Sequence, residues 1–393
     1  FSVVLYEGAR HAGGRCRSYF DRKLMRVVDN GNHLVLSGNY AVLDYLELIG
    51  AINKVEVTEP AEIFFMDLVD GLTWSVRPDK GRLPWSLLLT KRRAPGAGLM
   101  DYMRCWRLMK ATDNQAISDV LPTRGALWEK FWAPFIVAIT NTDPMISAAG
   151  PIKSVILETL ARGESACRPI FFPEGLTECL VSPALNYIGL KGGEVFFNRT
   201  IRQIKTSGDR ITFLDFGDVN IEINKSDTVI FALPASVSTA LVTGLDGPDI
   251  FSPIVNGHFL LPTALEGPAL LGLVNSTAEW LFLKNDVVSV TVSAANSLAK
   301  LSPKQISEIL WRDVQLAYGL KETNVPASRI VKEKRATFLQ TPAQLRRRPT
   351  CQTHIRNLFL AGDWIQTGLP ATIEGSVRSG FNAANLAATF MGK

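Results

Sequence analysis

No apolar run in the chain approaches the ~20 residues that a bilayer-spanning helix needs, so an integral membrane protein is not expected. Cysteine is scarce. The five present (Cys16, Cys105, Cys167, Cys179 and Cys351) are scattered, odd in number and without metal-ligand spacing. That pattern excludes a disulfide framework and reads as reduced thiols in a cytoplasmic protein. Internal repeats, low-complexity tracts and long flexible linkers are also missing. The charge balance is mild, 42 basic against 37 acidic residues for a net +5. Basic residues are dispersed except at Lys91-Arg92-Arg93 and Arg346-Arg347-Arg348, so no nucleic-acid partner is expected. What the chain has in quantity is hydrophobic residues, at 47%, over a length of 393 that exceeds the usual single-core limit. Two intertwined domains with sizeable cores follow.

The most informative stretch lies near the C-terminus: Asn357-Leu-Phe-Leu-Ala-Gly362-Asp363-Trp364, then Gly368-Leu-Pro370-Ala371-Thr372-Ile373-Glu374-Gly375. Leu358 to Ala361 has the length and composition of a buried parallel strand. It ends at Gly362-Asp363, where backbone can approach a ligand and a carboxylate can accept from a hydroxyl. Small and apolar residues at helical spacing run from Thr372 to Phe390, which sets a helix N-terminus just beyond the strand. An ordinary strand-turn-helix unit gives the same pattern.

The opposite end supplies its counterpart. Ser2-Val-Val-Leu-Tyr-Glu7 reads as a strand ending in an acid, followed by Gly13-Gly14-Arg15. In a dinucleotide-binding βαβ unit the second strand ends in an acid that binds the ribose hydroxyls. A Gly-Gly pair lets the chain pass against the pyrophosphate, and arginine sets positive charge beside it. The first strand, the glycine fingerprint and the first helix of such a unit are not among these residues. The fingerprint lies roughly 20 residues before the acid, and a molecule without it is expected to bind its nucleotide poorly.

Together the two segments resemble the flavin amine oxidase and phytoene desaturase superfamily of FAD enzymes. Its pattern is an acid after the second strand, then Gly-Gly-Arg, with Ala-Gly-Asp and Glu-Gly-Ala near the C-terminus. Ser376 stands here where alanine is usual, and His11, with Arg10 before it, where an arginine often follows the acid. Motifs in the middle are similar to the hydroxysqualene dehydroxylase family, also called squalene-associated FAD-dependent desaturases. They are Val28-Asp29-Asn30-Gly31-Asn32-His33, Trp128 to Pro144, Phe172-Pro173-Glu174-Gly175-Leu176 through Pro183, and Lys334-Arg335-Ala336-Thr337-Phe338. The resemblance runs from Glu7 to Ala388.

The fold it implies is α/β: a Rossmann-like FAD-binding domain interleaved with an α+β substrate domain that has a mixed or antiparallel sheet and a helical part. Residues 1–50, 190–240 and 350–393 are assigned to the first, and 51–189 and 241–349 to the second. Helices are expected over Asn39–Gly50, Leu99–Lys110, Gly125–Thr140, Ile146–Leu160, Leu176–Gly189 and Pro303–Leu320. A hairpin is expected about Asp70-Gly71, and antiparallel sheet from Asn256 to Val292.

The resemblance implies FAD as cofactor. It assigns Glu7, Gly13, Gly14 and Arg15 to the adenosine and pyrophosphate end and Ile201 to the adenine, strand packing being the alternative for Ile201. Gly362 and Asp363 go to the ribityl or phosphate end, and Ala371, Thr372 and Ile373 to the pyrimidine edge. Reduced flavin would replace an allylic hydroxyl of a long apolar isoprenoid, hydroxysqualene, with hydrogen, giving squalene for hopanoid synthesis. A carotenoid or phytoene-type desaturase is the alternative. Amine oxidation has less support, because Thr372 stands where an aromatic cage residue is common. A flavin-free isoprenoid-binding remnant is the non-enzyme alternative. The sequence does not assign a general acid. His33 is a candidate with a structural role as the alternative, Asp143 reads as a cap for the following helix, and Glu374 as architectural. Leu83-Pro-Trp85-Ser-Leu-Leu-Leu89 followed by Lys91-Arg92-Arg93 has the pattern of an interfacial anchor, implying peripheral attachment to the inner face of the cytoplasmic membrane. A buried loop-helix with a solvated basic end is the alternative. Oligomeric state is not legible.

Overall fold

The computed structural model describes residues 1–321 and 324–392. Two short parallel strand pairs bring distant parts of the chain together. Val4–Tyr6 pairs with Glu194–Phe196, and Val229–Phe231 pairs with Leu358–Leu360. All three residues of Leu358–Leu360 are buried, as expected of a strand covered on both faces. One core joins these pairs, with Phe231, Leu358, Leu360, Trp364 and Ile365 at its centre and Tyr6 and Ile201 packed against it.

The C-terminal helix, Ile373–Phe390, lies on the Leu358–Leu360 strand through small residues. Ser379, Ala383 and Ala387 are buried on that face, and Ser379 Oγ stitches helix to strand by accepting from Gly362 N at 2.8 Å. Thr372 caps the helix, its hydroxyl accepting from Gly375 N at 3.1 Å.

The second body is a seven-stranded sheet. Its order is Ser328–Phe338, Phe251–Leu260, Val287–Val292, Trp280–Lys284, Leu270–Val274, Ile63–Asp67 and Thr73–Val76. All neighbours are antiparallel except Leu270–Val274 with Ile63–Asp67, so the sheet is mixed. The expected hairpin forms, with Gly71 at φ +72°. One sheet face is covered by the helix Pro303–Tyr318, capped by Ser302 and Gln305 and stopped at Gly319 in the left-handed region. Ile306, Leu310, Trp311 and Val314 pack there against Val255, Phe259, Val288 and Val290. Each such side chain contributes roughly 1.5–3 kcal/mol of burial.

Other helices lie near their predicted positions with altered ends. Tyr40–Leu48 forms, but Asn39 does not cap it; its side chain accepts from Leu36 N instead. The Gly125–Thr140 helix is a wide π turn, Trp128–Trp132, continued by an α-helix, Ala133–Thr140. Leu99–Arg104 is α-helical and then tightens to 3₁₀ over Cys105–Lys110. Asp143 is no helix cap. Its carboxylate accepts from Met145 N at 2.9 Å in a local turn, and the next helix, Ala149–Glu158, starts six residues on behind Ala148. All five cysteines are free. Among the described residues no helix is long and apolar enough to cross a membrane, and no cluster of side chains has metal-binding geometry.

Candidate functional site

The two ends of the chain meet through Arg15. Its guanidinium donates to Asp363 Oδ1 at 2.8 Å and to the carbonyl of Ala336. Thus Gly-Gly-Arg, the Ala-Gly-Asp strand end and the Lys334–Phe338 motif converge on one side chain. Asp363 is buried, and Arg15 is partly exposed.

Glu7 follows directly on the first strand. Its backbone is held by Phe196 O and Arg199 N, and one carboxylate oxygen accepts from Ala9 N at 2.8 Å. The carboxylate is therefore at a strand end with acceptor capacity to spare. Gly13 and Gly14 both have positive φ, +100° and +55°. They differ in surroundings. A Cβ on Gly13 would come within 2.8 Å of Val181 and of Cys16 O, whereas a Cβ on Gly14 would meet nothing within 4 Å. Gly14 thus leaves backbone facing open space, the cradle that close approach of a phosphate requires. Ile201 sits in the link between Glu194–Phe196 and Gln203–Ser207, half-buried against the core that includes Tyr6.

On the opposite side, Gly362 has φ +141°, a backbone that side-chain-bearing residues rarely adopt. Ala371 N donates to Gln340 Oε1 at 3.2 Å, Thr372 caps the helix, and Ile373 opens it against the core containing Val42 and Leu46. The eighteen-residue helix that Thr372 opens is tied to Gly362 through Ser379, and the amides of its first turn form a setting that favours electron-rich and anionic groups.

Two residues that shape this region, Arg348 and Gln340, were not read from the sequence as part of it. Arg348 is buried and makes no ion pair among the described residues; it donates to the carbonyls of Leu369 (2.7 Å), Asp363 (3.3 Å), Trp364 (3.4 Å) and Ile365. Burial lowers its guanidinium to about 10, with Asp363 opposing. One arginine thereby holds the whole 363–369 loop. Gln340 binds Thr140 O and Ala371 N, joining the Trp128–Pro144 motif to that loop. Glu374 accepts from Ala41 N and Val42 N at 3.1 and 3.0 Å, so the C-terminal helix caps Tyr40–Leu48 in place of Asn39. Its other partner, Arg378, also pairs with Glu158. These bonds agree with reading Glu374 as architectural.

The middle motifs are bonded to one another. Asp29 Oδ1 accepts from Leu176 N at 3.0 Å and from Ser18 Oγ, joining Val28–His33 to the Phe172–Leu176 segment. Asn141, at φ +48°, donates to Thr337 Oγ1 and Ser252 O. Asn32 donates to Thr291 Oγ1, which donates to Asn256 Oδ1 on the large sheet. His33 lies 4.0 Å from Cys16 Sγ. Burial lowers its imidazole to about 4, and Asp29 only partly offsets this, so it is neutral near pH 7. Cys16 is pushed by burial up to about 11 and carries no thiolate. Neither group is a charged acid or a ready nucleophile.

Strand-end carboxylates, a glycine cradle and a helix N-terminus suit a dinucleotide, and the comparisons with known proteins agree. Residues 1–388 match the flavin containing amine oxidoreductase family, so the chain belongs to that family of flavoenzymes. Within it, the chain is 41% identical over 98% of its length to a hydroxysqualene dehydroxylase from Zymomonas mobilis, covering 93% of that protein. It is 39% identical over 98% of its length to a hydroxysqualene dehydroxylase from Rhodopseudomonas palustris, covering 92% of that protein. Cyclohexylamine oxidase from Brevibacterium oxydans shares the fold, with a TM-score of 0.71 at 10% identity over 98% of this chain and 93% of that one.

Proposed function

We infer that this flavoenzyme reduces hydroxysqualene to squalene. The observation that carries the reading is the full-length similarity to hydroxysqualene dehydroxylases, combined with the Arg15–Asp363 bond that joins the two ends of the candidate FAD site. FAD bound there supplies hydride chemistry.

The chain's own residues bind and orient. Glu7 takes the adenosine ribose hydroxyls, with Ile201 beside the adenine. Gly13, Gly14 and Arg15 take the pyrophosphate, Gly14 by its open backbone and Arg15 by charge. Gly362 and Asp363 take the ribityl or phosphate end, and Ala371, Thr372 and Ile373 the pyrimidine edge at the helix N-terminus. Residues 1–50, 190–240 and 350–393 form the cofactor part, with 51–189 and 241–349 as the substrate part.

Neutral His33 does not deliver a proton as imidazolium near pH 7. Thr372 caps a helix and offers no aromatic face for an amine, which disfavours amine oxidation. An insoluble C30 substrate favours attachment to the inner face of the cytoplasmic membrane, supported by the exposure of Leu83, Trp85, Leu88 and Leu89.

The test is anaerobic incubation of the reduced enzyme with hydroxysqualene and, separately, with the oxidised enzyme and phytoene. Squalene in the first reaction supports the assignment. Desaturated phytoene in the second, with no squalene in the first, overturns it in favour of a polyprenyl desaturase.

A further inference from the structure

The net charge of +5 over the whole chain is not evenly spread. Residues 82–110 contain Arg82, Lys91, Arg92, Arg93, Arg104, Arg107 and Lys110 against a single carboxylate, Asp101. That stretch alone is net +6, so the remaining 364 residues sum to about −1. The same stretch exposes the large apolar side chains Leu83, Trp85, Leu88, Leu89, Met100, Met103 and Trp106, among which Trp85 and Trp106 are 67% and 68% exposed.

The two exposed runs belong to one surface. Ala94 N donates to Tyr102 Oη at 2.9 Å, which ties the 83–93 run to the helix Leu99–Arg104. Arg93 donates to the carbonyls of Leu87 and Leu88, satisfying the backbone of the short helical turn that presents Trp85 and Leu88. Indole and leucine side chains displayed among cations match the interface of a bilayer, not bulk water.

Beside this surface is a cavity of about 570 Å³ whose lining includes Arg77, Lys80, Arg92 and Arg168. Its carboxylates are already bonded: Glu59 and Glu164 both pair with Arg168 within the lining, and Asp79 accepts from Ser86 N and Oγ. Arg77, Lys80 and Arg92 form no close ion pair among the described residues, and Lys80 feels Glu164 only at longer range. Arg92 comes from the exposed apolar segment itself, so the cavity's cations adjoin the apolar surface.

We propose that residues 77–107 form a seat for an anionic phospholipid bilayer, with Arg77, Lys80 and Arg92 holding a headgroup phosphate. The apolar residues supply insertion and the cations supply selectivity for lipid charge. This rests on the reading of the substrate as a membrane-dissolved isoprenoid, because it explains how such a molecule is met, but it is tested without turnover.

The experiment is flotation of the full-length protein with phosphatidylcholine vesicles and with vesicles containing phosphatidylglycerol. Wild type is expected to bind the anionic vesicles at least about tenfold more tightly, since each interfacial cation is worth about fivefold. Combined Arg77→Gln, Lys80→Gln and Arg92→Gln is expected to reduce that preference at least about tenfold while leaving binding to neutral vesicles unchanged. Combined Trp85→Ser, Leu88→Ser and Leu89→Ser is expected to reduce binding to both. Thermal melts of the variants establish that they fold.

Unchanged anionic preference in the folded cation variant overturns the headgroup site. Titration with inorganic phosphate distinguishes the other source of the same chemistry: tight phosphate binding with no vesicle preference overturns the lipid seat in favour of a soluble phosphate ligand. Squalene formation without vesicle preference would sink this inference alone, and vesicle preference without squalene would sink only the proposed activity.

Discussion

Arg15 and Asp363 are 348 positions apart in sequence and 2.8 Å apart in space. Their ion pair is where the N-terminal glycine loop and the C-terminal strand-turn-helix unit become one site. Arg15 is partly exposed, so the pair itself stabilises the fold only modestly, by about 0.5–1 kcal/mol. Its larger consequence is for a nucleotide lying across both segments. Arg15→Ala and Asp363→Ala are each expected to weaken FAD binding about tenfold or more, with the double variant less impaired than the two effects combined. Fluorescence titration of FAD into the apo forms checks this, and strictly additive losses would count against a shared site.

Glu374 carries a different burden. It is buried, caps the Tyr40–Leu48 helix from across the fold and binds Arg378. Glu374→Gln keeps the volume but turns an amide donor toward backbone donors. The expected loss is about 1–3 kcal/mol of stability, read as a lower urea midpoint. Asn39→Ala, by contrast, removes only a bond to Leu36 N and should cost less.

Acid should unfold the protein through its buried imidazoles. Burial lowers His33 and His258 to about 4 from an ordinary 6.5, with Asp29 opposing in both cases. The unfolded chain therefore takes up protons first as pH falls. The stability these neutral rings allow is full above about pH 6.5 and is lost as pH falls toward 4. His258 Nδ1 sits 2.7 Å from Ser289 Oγ, a contact that Asn can keep in part. His258→Asn should flatten the pH dependence of the urea midpoint in that window, and an unchanged slope would count against the burial argument.

Glu279 has the opposite sign. Burial raises its carboxyl to about 7 from 4.5, with Ser293 as the opposing partner. The folded form holds its proton where the unfolded form has released it, so stability is lost as pH rises from about 4.5 through 7. Glu279→Gln should therefore raise Tm at pH 8 and change it little near pH 4.5, measured by scanning calorimetry.

The parts of this molecule that were legible in sequence have strong local signals. Leu358–Leu360 is an unbroken apolar run, Pro303–Tyr318 carries Ser302, Gln305 and Gly319 at its ends, and Asp70-Gly71 sits between two alternating runs. The convergence of the two chain ends was implied by the paired motifs, because each supplies half of one binding chemistry, but the direct Arg15–Asp363 bond was not. What was not legible depends on tertiary direction. Arg346, Arg347 and Arg348 read alike in a row, yet Arg347 pairs with Asp246 and Asp249 at the surface while Arg348 turns inward to four carbonyls. Asp143 and Asn39 both have cap chemistry, and both satisfy amides outside a helix start instead. Glu374 became a cap only because another helix arrives beside it, which no local spacing encodes.

The decisive measurement is equilibrium FAD affinity for wild type, Glu7→Gln and Asp363→Asn under identical conditions, with circular dichroism to establish that all three are folded. If one dinucleotide reaches from the Val4–Tyr6 strand end to the C-terminal helix, both substitutions weaken binding, one from each end. Wild-type affinity in both folded variants would contradict the account.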